Sequence, residues 1–131
     1  MLDVLEEPQL FSYLKEFYYP DLRMSNSQFS SFDCISDKQK LYIELKSRQT
    51  HYDTLLIEQI KYEAIKGAAY FLGMTPLYIN STPEGIWQFV LSTLPEPMWE
   101  DRDLPATTEF AARGNKLKVV GYLHISDGER L

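Results

Sequence analysis

Apolar and polar positions change period several times along this chain, and each change marks an element. From Pro8 to Tyr19 the apolar residues Leu10, Tyr13, Leu14, Phe17 and Tyr18 recur at helical spacing. This predicts an amphipathic helix ended by Pro20. Asp21 to Ser31 is polar and reads as a loop entering a strand over about 29–35. Asp37-Lys38-Gln39 is a turn. Leu41 to Ser47 then alternates cleanly, with Leu41, Ile43 and Leu45 on one side and Tyr42, Glu44 and Lys46 on the other. Arg48 to Tyr52 is a loop. Asp53 or Thr54 is a candidate N-cap for a helix that runs to Leu72, buries a stripe of Leu56, Ile60, Ala64, Ala68 and Phe71, and stops at Gly73. Thr75 to Asn80 and Ile86 to Leu91 flank a Thr82-Pro83-Glu84-Gly85 turn and form a second hairpin. Leu94 to Pro105, broken by prolines, is expected to be irregular. A short helix is expected from Thr107 or Thr108. Leu117 to Ile125 suits a final strand or a helix, and Asp127 onwards a frayed tail.

The first hairpin carries the candidate chemistry. With its turn centred on Lys38 and Gln39, Asp33 lies directly opposite Glu44, while Phe32 and Cys34 join the leucine face behind them. Opposed carboxylates repel and weaken a ladder, whereas a divalent cation between them removes the repulsion. Two carboxylates can hold Mg²⁺ or Mn²⁺ and leave waters on the metal, and such a metal polarises a phosphate oxygen and acidifies its bound water. Lys46, on the same face, can orient that water or stabilise growing negative charge. The bland reading of Asp33, Glu44 and Lys46 is a solvated cross-strand charge network. Cys34, on the apolar side, reads as core.

Composition sets limits on this picture. At 131 residues and 44% hydrophobic, the chain suits one compact domain spanning 1–131. The single cysteine excludes an internal disulfide and fits a reducing compartment. The acidic N-terminus does not read as a secretory signal, and no apolar stretch is long enough for a bilayer. The expected location is therefore the cytoplasm, in a bacterium or a phage-infected host cell. The net charge of -6 counts against a nucleic-acid binder that relies on its overall charge. Basic residues gather locally, however, at Lys46, Arg48 and His51 and again at Arg113, Lys116 and Lys118, which allows a positive channel on an acidic protein.

Helix, hairpin, helix and strand, with Asp33 facing Glu44-Leu45-Lys46, resemble the PD-(D/E)XK nuclease superfamily over about residues 8–92. The literal dipeptide of the family name falls at Pro20-Asp21, but Asp33 can face Glu44 and is preferred. A glutamine and tyrosine four apart, found on the following helix in some relatives, are not matched, because Gln59 and Tyr62 are three apart. The resemblance implies an α+β domain with a central mixed β-sheet flanked by helices in a restriction-endonuclease-like αβββαβ core. It implies a metal-dependent endonuclease or exonuclease, acting on DNA ahead of RNA and using Mg²⁺ or Mn²⁺. The resemblance adds the Leu45 carbonyl to Asp33 and Glu44 as metal ligands; Asp33, Glu44 and Lys46 would be the catalytic residues, and the basic side chains of Arg48, Lys61 and His51 could contact the phosphate backbone. The alternative is a catalytically silent nuclease-like module that binds nucleic acid or protein. The small size fits a homodimer, with Val119, Val120 and Leu123 as its interface, and compactness and acidity suit a phage protein.

Overall fold

The computed structural model describes residues 4–25, 32–105 and 115–131. The expected helix at Thr107 or Thr108, the start of the strand expected from residue 29, and Arg113 fall outside the described residues. Helix α1 spans Glu7–Phe17, and its start is fixed by the Glu6 N–H donating to Gln9 Oε1 at 3.0 Å. Strands β1 (Arg23–Met24), β2 (Phe32–Ser36) and β3 (Leu41–Ser47) follow, and then β4 (Thr54–Glu58), α2 (Gln59–Leu72), β5 (Thr75–Thr82) and β6 (Gly85–Val90). The chain continues through β7 (Glu100–Pro105), β8 (Asn115–His124), a 3₁₀ turn at Ile125–Asp127 and β9 (Glu129–Arg130). The main sheet is mixed, in the order β1-β2-β3-β5-β6-β9, and a second sheet has the order β4-β8-β7. Strand β3 pairs antiparallel with β2 and parallel with β5, and α2 lies in the crossover. The expected αβββαβ order is therefore present as α1, β1–β3, α2 and β5, with β4 leaving to join the smaller sheet. Among the described residues no helix is long and apolar enough to cross a membrane.

Two cores sandwich the main sheet. On one face Leu10 and Leu14 of α1 pack on Cys34, Ile43, Leu45, Leu77 and Ile79. On the other, Tyr62, Ile65 and Ala69 of α2, together with Leu55, Ile57 and Leu123 of the small sheet, pack on Ile35, Tyr42, Tyr78 and Phe89. The apolar face expected behind the charged trio is thus present, but the hairpin is not half-buried. The second layer covers the charged face as well, leaving Asp33 only 9% and Glu44 only 5% exposed.

Four expectations are corrected. The helix expected from Asp53 or Thr54 begins five residues later, at Gln59. Residues 54–58 instead form β4, because Leu55 and Ile57, at strand spacing, are buried against the core while pairing with β8. That shift changes the helix phase. Tyr62, Ile65 and Ala69 are the buried positions of α2, and Ile60 and Phe71, expected in the core, are 73% and 87% exposed. Gly73 does end the helix, at a φ of 68° that other L-residues resist. The stretch expected to be irregular to Pro105 becomes strand β7 from Glu100, a charged edge strand on β8. The tail is also ordered: β9 pairs with β6, and the Arg130 guanidinium lies 5.7 Å from the Trp87 ring centroid. Finally, Val120 and Leu123 are buried within their own chain and cannot form the expected dimer interface.

Candidate active site

The site forms where β2, β3 and β5 lie side by side. The β2–β3 register puts Asp33 opposite Glu44, as the turn position predicts. Asp21, the alternative aspartate, serves the turn instead. Its Oδ1 accepts from Ser36 Oγ and its Oδ2 from the Lys38 N–H, both at 2.8 Å, and these bonds hold its carboxyl below the usual range. On the same face as Asp33, Tyr42 donates its hydroxyl to Asp33 Oδ2 at 2.7 Å. Lys61, reaching back from the first turn of α2, places Nζ 3.8 Å from Glu44 Oε1.

The remaining oxygens are the informative ones. Asp33 Oδ1 and Glu44 Oε2 are buried without a hydrogen-bond partner among the described residues, as are Ser47 Oγ and Asn80 Nδ2. Buried polar atoms are ordinarily paired, and orphans mark strain, a ligand or a functional role. All four lie on these three adjacent strands, and Asn80 is the register partner of Lys46. Burial raises the Asp33 pKa, against the opposing effects of the Tyr42 hydrogen bond and the Lys61 charge.

Lys46 follows Glu44 on the same face at the rim, exposed as a residue although its neighbours partly shield the ammonium from water. Its pKa is lowered first by desolvation of the ammonium and next by Arg48, while Glu7 and Glu58 act in the opposite direction. Arg48 is tied into the scaffold: its Nε donates to Asn80 Oδ1 at 3.2 Å and its Nη2 to Tyr78 Oη at 2.9 Å and to the Leu56 carbonyl. His51 turns away from the carboxylates. Its ring is 4.9 Å from Trp87, its Nδ1 lies 2.9 Å from Thr82 Oγ1, and its side chain is only 8% exposed. The structure thus gathers Asp33, Glu44 and Lys61, sets Lys46 at the rim, fixes Arg48 beside Asn80 and sends His51 to the β5–β6 turn. Tyr42 and Asn80 are site residues with no motif in the sequence to mark them. Tyr42 could have been found, since it lies two residues before Glu44 on the charged face. Asn80 sits at the end of an apolar run, and nothing local links it to Lys46.

Two hard carboxylate oxygens without partners fit an oxygen-preferring divalent cation. Among the described residues no group of three His, Cys, Asp or Glu side chains is placed to hold a metal, so a cation held here by Asp33 and Glu44 would keep waters or take backbone oxygen.

No protein-family model matches the chain, and no curated protein matches its sequence. Among solved structures it is similar to Archaeoglobus fulgidus Hjc, a Holliday junction resolvase from an archaeal hyperthermophile, with a TM-score of 0.58 and 15% identity over 95% of this chain and 88% of that one. At this identity the likeness is one of fold. The chain has a restriction-endonuclease-like α+β fold, and Asp33, Glu44 and Lys46 lie on its central hairpin.

Proposed function

We propose that this protein is a metal-dependent nuclease that hydrolyses phosphodiester bonds, of DNA ahead of RNA, in the cytoplasm. One observation carries the reading: two buried carboxylates face each other across the central hairpin of a nuclease fold, each with an unpartnered oxygen. Asp33 and Glu44, with the Leu45 carbonyl, would hold Mg²⁺ or Mn²⁺, which when bound supplies charge neutralisation at the phosphate and a more acidic water. Tyr42 fixes the Asp33 carboxylate so that its other oxygen stays inside the site. Lys61 offsets part of the Glu44 charge. Lys46, at the rim, would meet the phosphate and stabilise the charge that grows during attack. Of the expected substrate contacts, Lys61 lies beside Glu44, Arg48 is held by Asn80, Tyr78 and the Leu56 carbonyl, and His51 would have to leave Thr82.

The test is cleavage of duplex, single-stranded and branched substrates with Mg²⁺ or Mn²⁺. Loss of cleavage in both Glu44→Ala and Lys46→Ala is expected, and activity that survives both overturns the site. A wild-type protein that neither cleaves nor binds Mn²⁺ is the silent module instead.

The homodimer is proposed through α2 rather than β8. Ile60, Ala64, Gly67 and Phe71 form one exposed helical stripe, bulky at its ends and small in its middle. Two antiparallel copies of α2 fit about a two-fold axis between Ala64 and Gly67, with Ile60 of one copy against Phe71 of the other. Sedimentation velocity should give a dimer that Phe71→Glu dissociates. A wild-type monomer at micromolar concentration refutes it.

A further inference from the structure

A cavity of about 570 Å³, whose lining starts at Ser47 directly after Lys46, opens between the 47–54 segment and the face of the small sheet that carries Arg102 and Tyr122. Its size falls in the range of small-ligand sites. On a chain of net charge -6, its lining includes Arg48 and Arg102 and no aspartate or glutamate. Among the described residues neither arginine makes an ion pair. Arg48 is only partly exposed, and its protein partners are neutral oxygens. Placing a guanidinium in such surroundings without a counter-charge is costly, and an anion that enters the cavity removes the cost.

The remaining lining specifies more than an anion. Tyr52 is 64% exposed at the rim. Tyr122 lies across the cavity with the Arg102 guanidinium 5.9 Å from its ring centroid, and Arg102 also donates to the Tyr122 hydroxyl. Aromatic faces next to unpaired arginines suit a base stacked on a ring with its phosphate on a guanidinium. Ser47 and Arg48 follow Lys46 directly, so the mouth lies about 7 Å further along the chain and a strand held at Lys46 reaches it within about two nucleotides.

We propose that this cavity takes one unpaired nucleotide of a nucleic-acid strand, stacked on Tyr52 and held at its phosphate by Arg102 and Arg48. Its placement next to the cleaved phosphate rests on the nuclease reading above; the nucleotide binding itself does not. The substrate would then carry a single-stranded stretch or an unpaired end beside the scissile bond.

The test is fluorescence anisotropy on the full chain in EDTA, so that binding is read without cleavage. The probes are a labelled single strand, the same sequence as a blunt duplex, and the duplex with an unpaired overhang. Tyr52→Ala and Arg102→Ala alter exposed side chains and should fold. Each should weaken binding of the single strand and the overhang by about 5- to 50-fold and change blunt-duplex binding less than twofold. Deoxyadenosine monophosphate should displace the strand at concentrations where inorganic phosphate does not. Equal affinity of wild type and both variants for every probe overturns the inference. So does equal loss on duplex and single strand, or equal displacement by phosphate, which would describe a simple anion site. The two readings fail separately. Cleavage lost in Glu44→Ala but unaffected by Tyr52→Ala and Arg102→Ala, with binding also unaffected, removes only the cavity. Binding that depends on both residues without any wild-type cleavage removes only the nuclease.

Discussion

Asp33→Asn separates a carboxylate retained for a cation from one retained for structure. In the metal-free protein the Asp33 charge is almost wholly buried, one of its oxygens has no partner, and it faces a second buried carboxylate. Directly opposed residues have Cβ atoms roughly 5 Å apart, so carboxylates at that separation would repel by at most about 3 kcal/mol at an effective dielectric constant near 20. Lys61, 3.8 Å from Glu44 but 40% exposed, offsets on the order of 1 kcal/mol at most. Asparagine keeps an oxygen to accept the Tyr42 hydroxyl and gains an amide that can face Glu44. The substitution should therefore stabilise the metal-free protein by about 1–2 kcal/mol, or roughly 3–7 °C in Tm for a domain of this size.

The pH dependence gives the sign independently. The Asp33 pKa is raised above its unfolded value of 3.8, so the folded state holds this proton more tightly. Its destabilising effect is absent below pH 3.8, grows as pH rises toward the folded pKa, and is fully present above it. The advantage of Asp33→Asn should follow the same course. Saturating Mn²⁺ should reverse the order. At about 100 times its Kd the ion adds about 2.7 kcal/mol to the wild type, and less to a variant with a weakened site. The assay is thermal and urea unfolding of both proteins in EDTA and in Mn²⁺, from pH 4 to 8 at about one-unit steps. An Asp33→Asn protein that is less stable than wild type in EDTA refutes the reasoning, because Asp33 would then be held by favourable structural bonds.

Three further outcomes follow from the same geometry. Tyr42→Phe should cost about 1.5–3 kcal/mol, by removing a hydrogen bond to a carboxylate, and clearly less in the Asp33→Asn background; a double-mutant cycle in urea with no coupling would contradict the bond. The Cys34 thiol, pushed up to about 12 mainly by burial and further by Asp33, should resist Ellman's reagent at neutral pH until the protein unfolds, and rapid native-state labelling would count against its place in the core. Lys46→Met should lower kcat by roughly 10²-fold or more. Because the folded pKa of Lys46 is lowered and the ammonium is the form required, wild-type cleavage should fall at a pH below the usual lysine range of 10.5, and a limb that Lys46→Arg leaves in place belongs to another group.

How much of this was legible in the sequence depended on how local the determining contacts were. The β2–β3 register follows from one turn and a two-residue period, so Asp33 could be placed opposite Glu44 by counting, and β3 falls at Leu41–Ser47 as expected. Residues 54–58 were illegible for the opposite reason. Thr-Leu-Leu-Ile-Glu is compatible with helix or strand, and the choice is made by β8, more than fifty positions away. That one decision moved the start of α2, exposed Ile60 and Phe71, and brought Lys61 to Glu44.

Charge misleads on a similar ground, because net charge is a sum over surfaces that do not meet. The chain total of -6 argues against nucleic acid, yet the cavity beside Lys46 is lined by two arginines and no acid. Those arginines come from the loop after β3 and from β7, an acidic stretch in which Asp101 and Asp103 flank Arg102. Strand alternation sends Arg102 to one face of the small sheet and both aspartates to the other. In sequence Arg102 therefore reads as part of an acidic run, while in the fold it stands over Tyr122 without an ion-pair partner among the described residues. A strand approaching Asp33 and Glu44 meets the charge of that face rather than the charge of the chain, and over a Debye length of about 8 Å at physiological salt the local term dominates. The acidity of the whole chain is thus an argument about its solubility and its encounter rate with any polyanion, and only weakly one about what this site can hold.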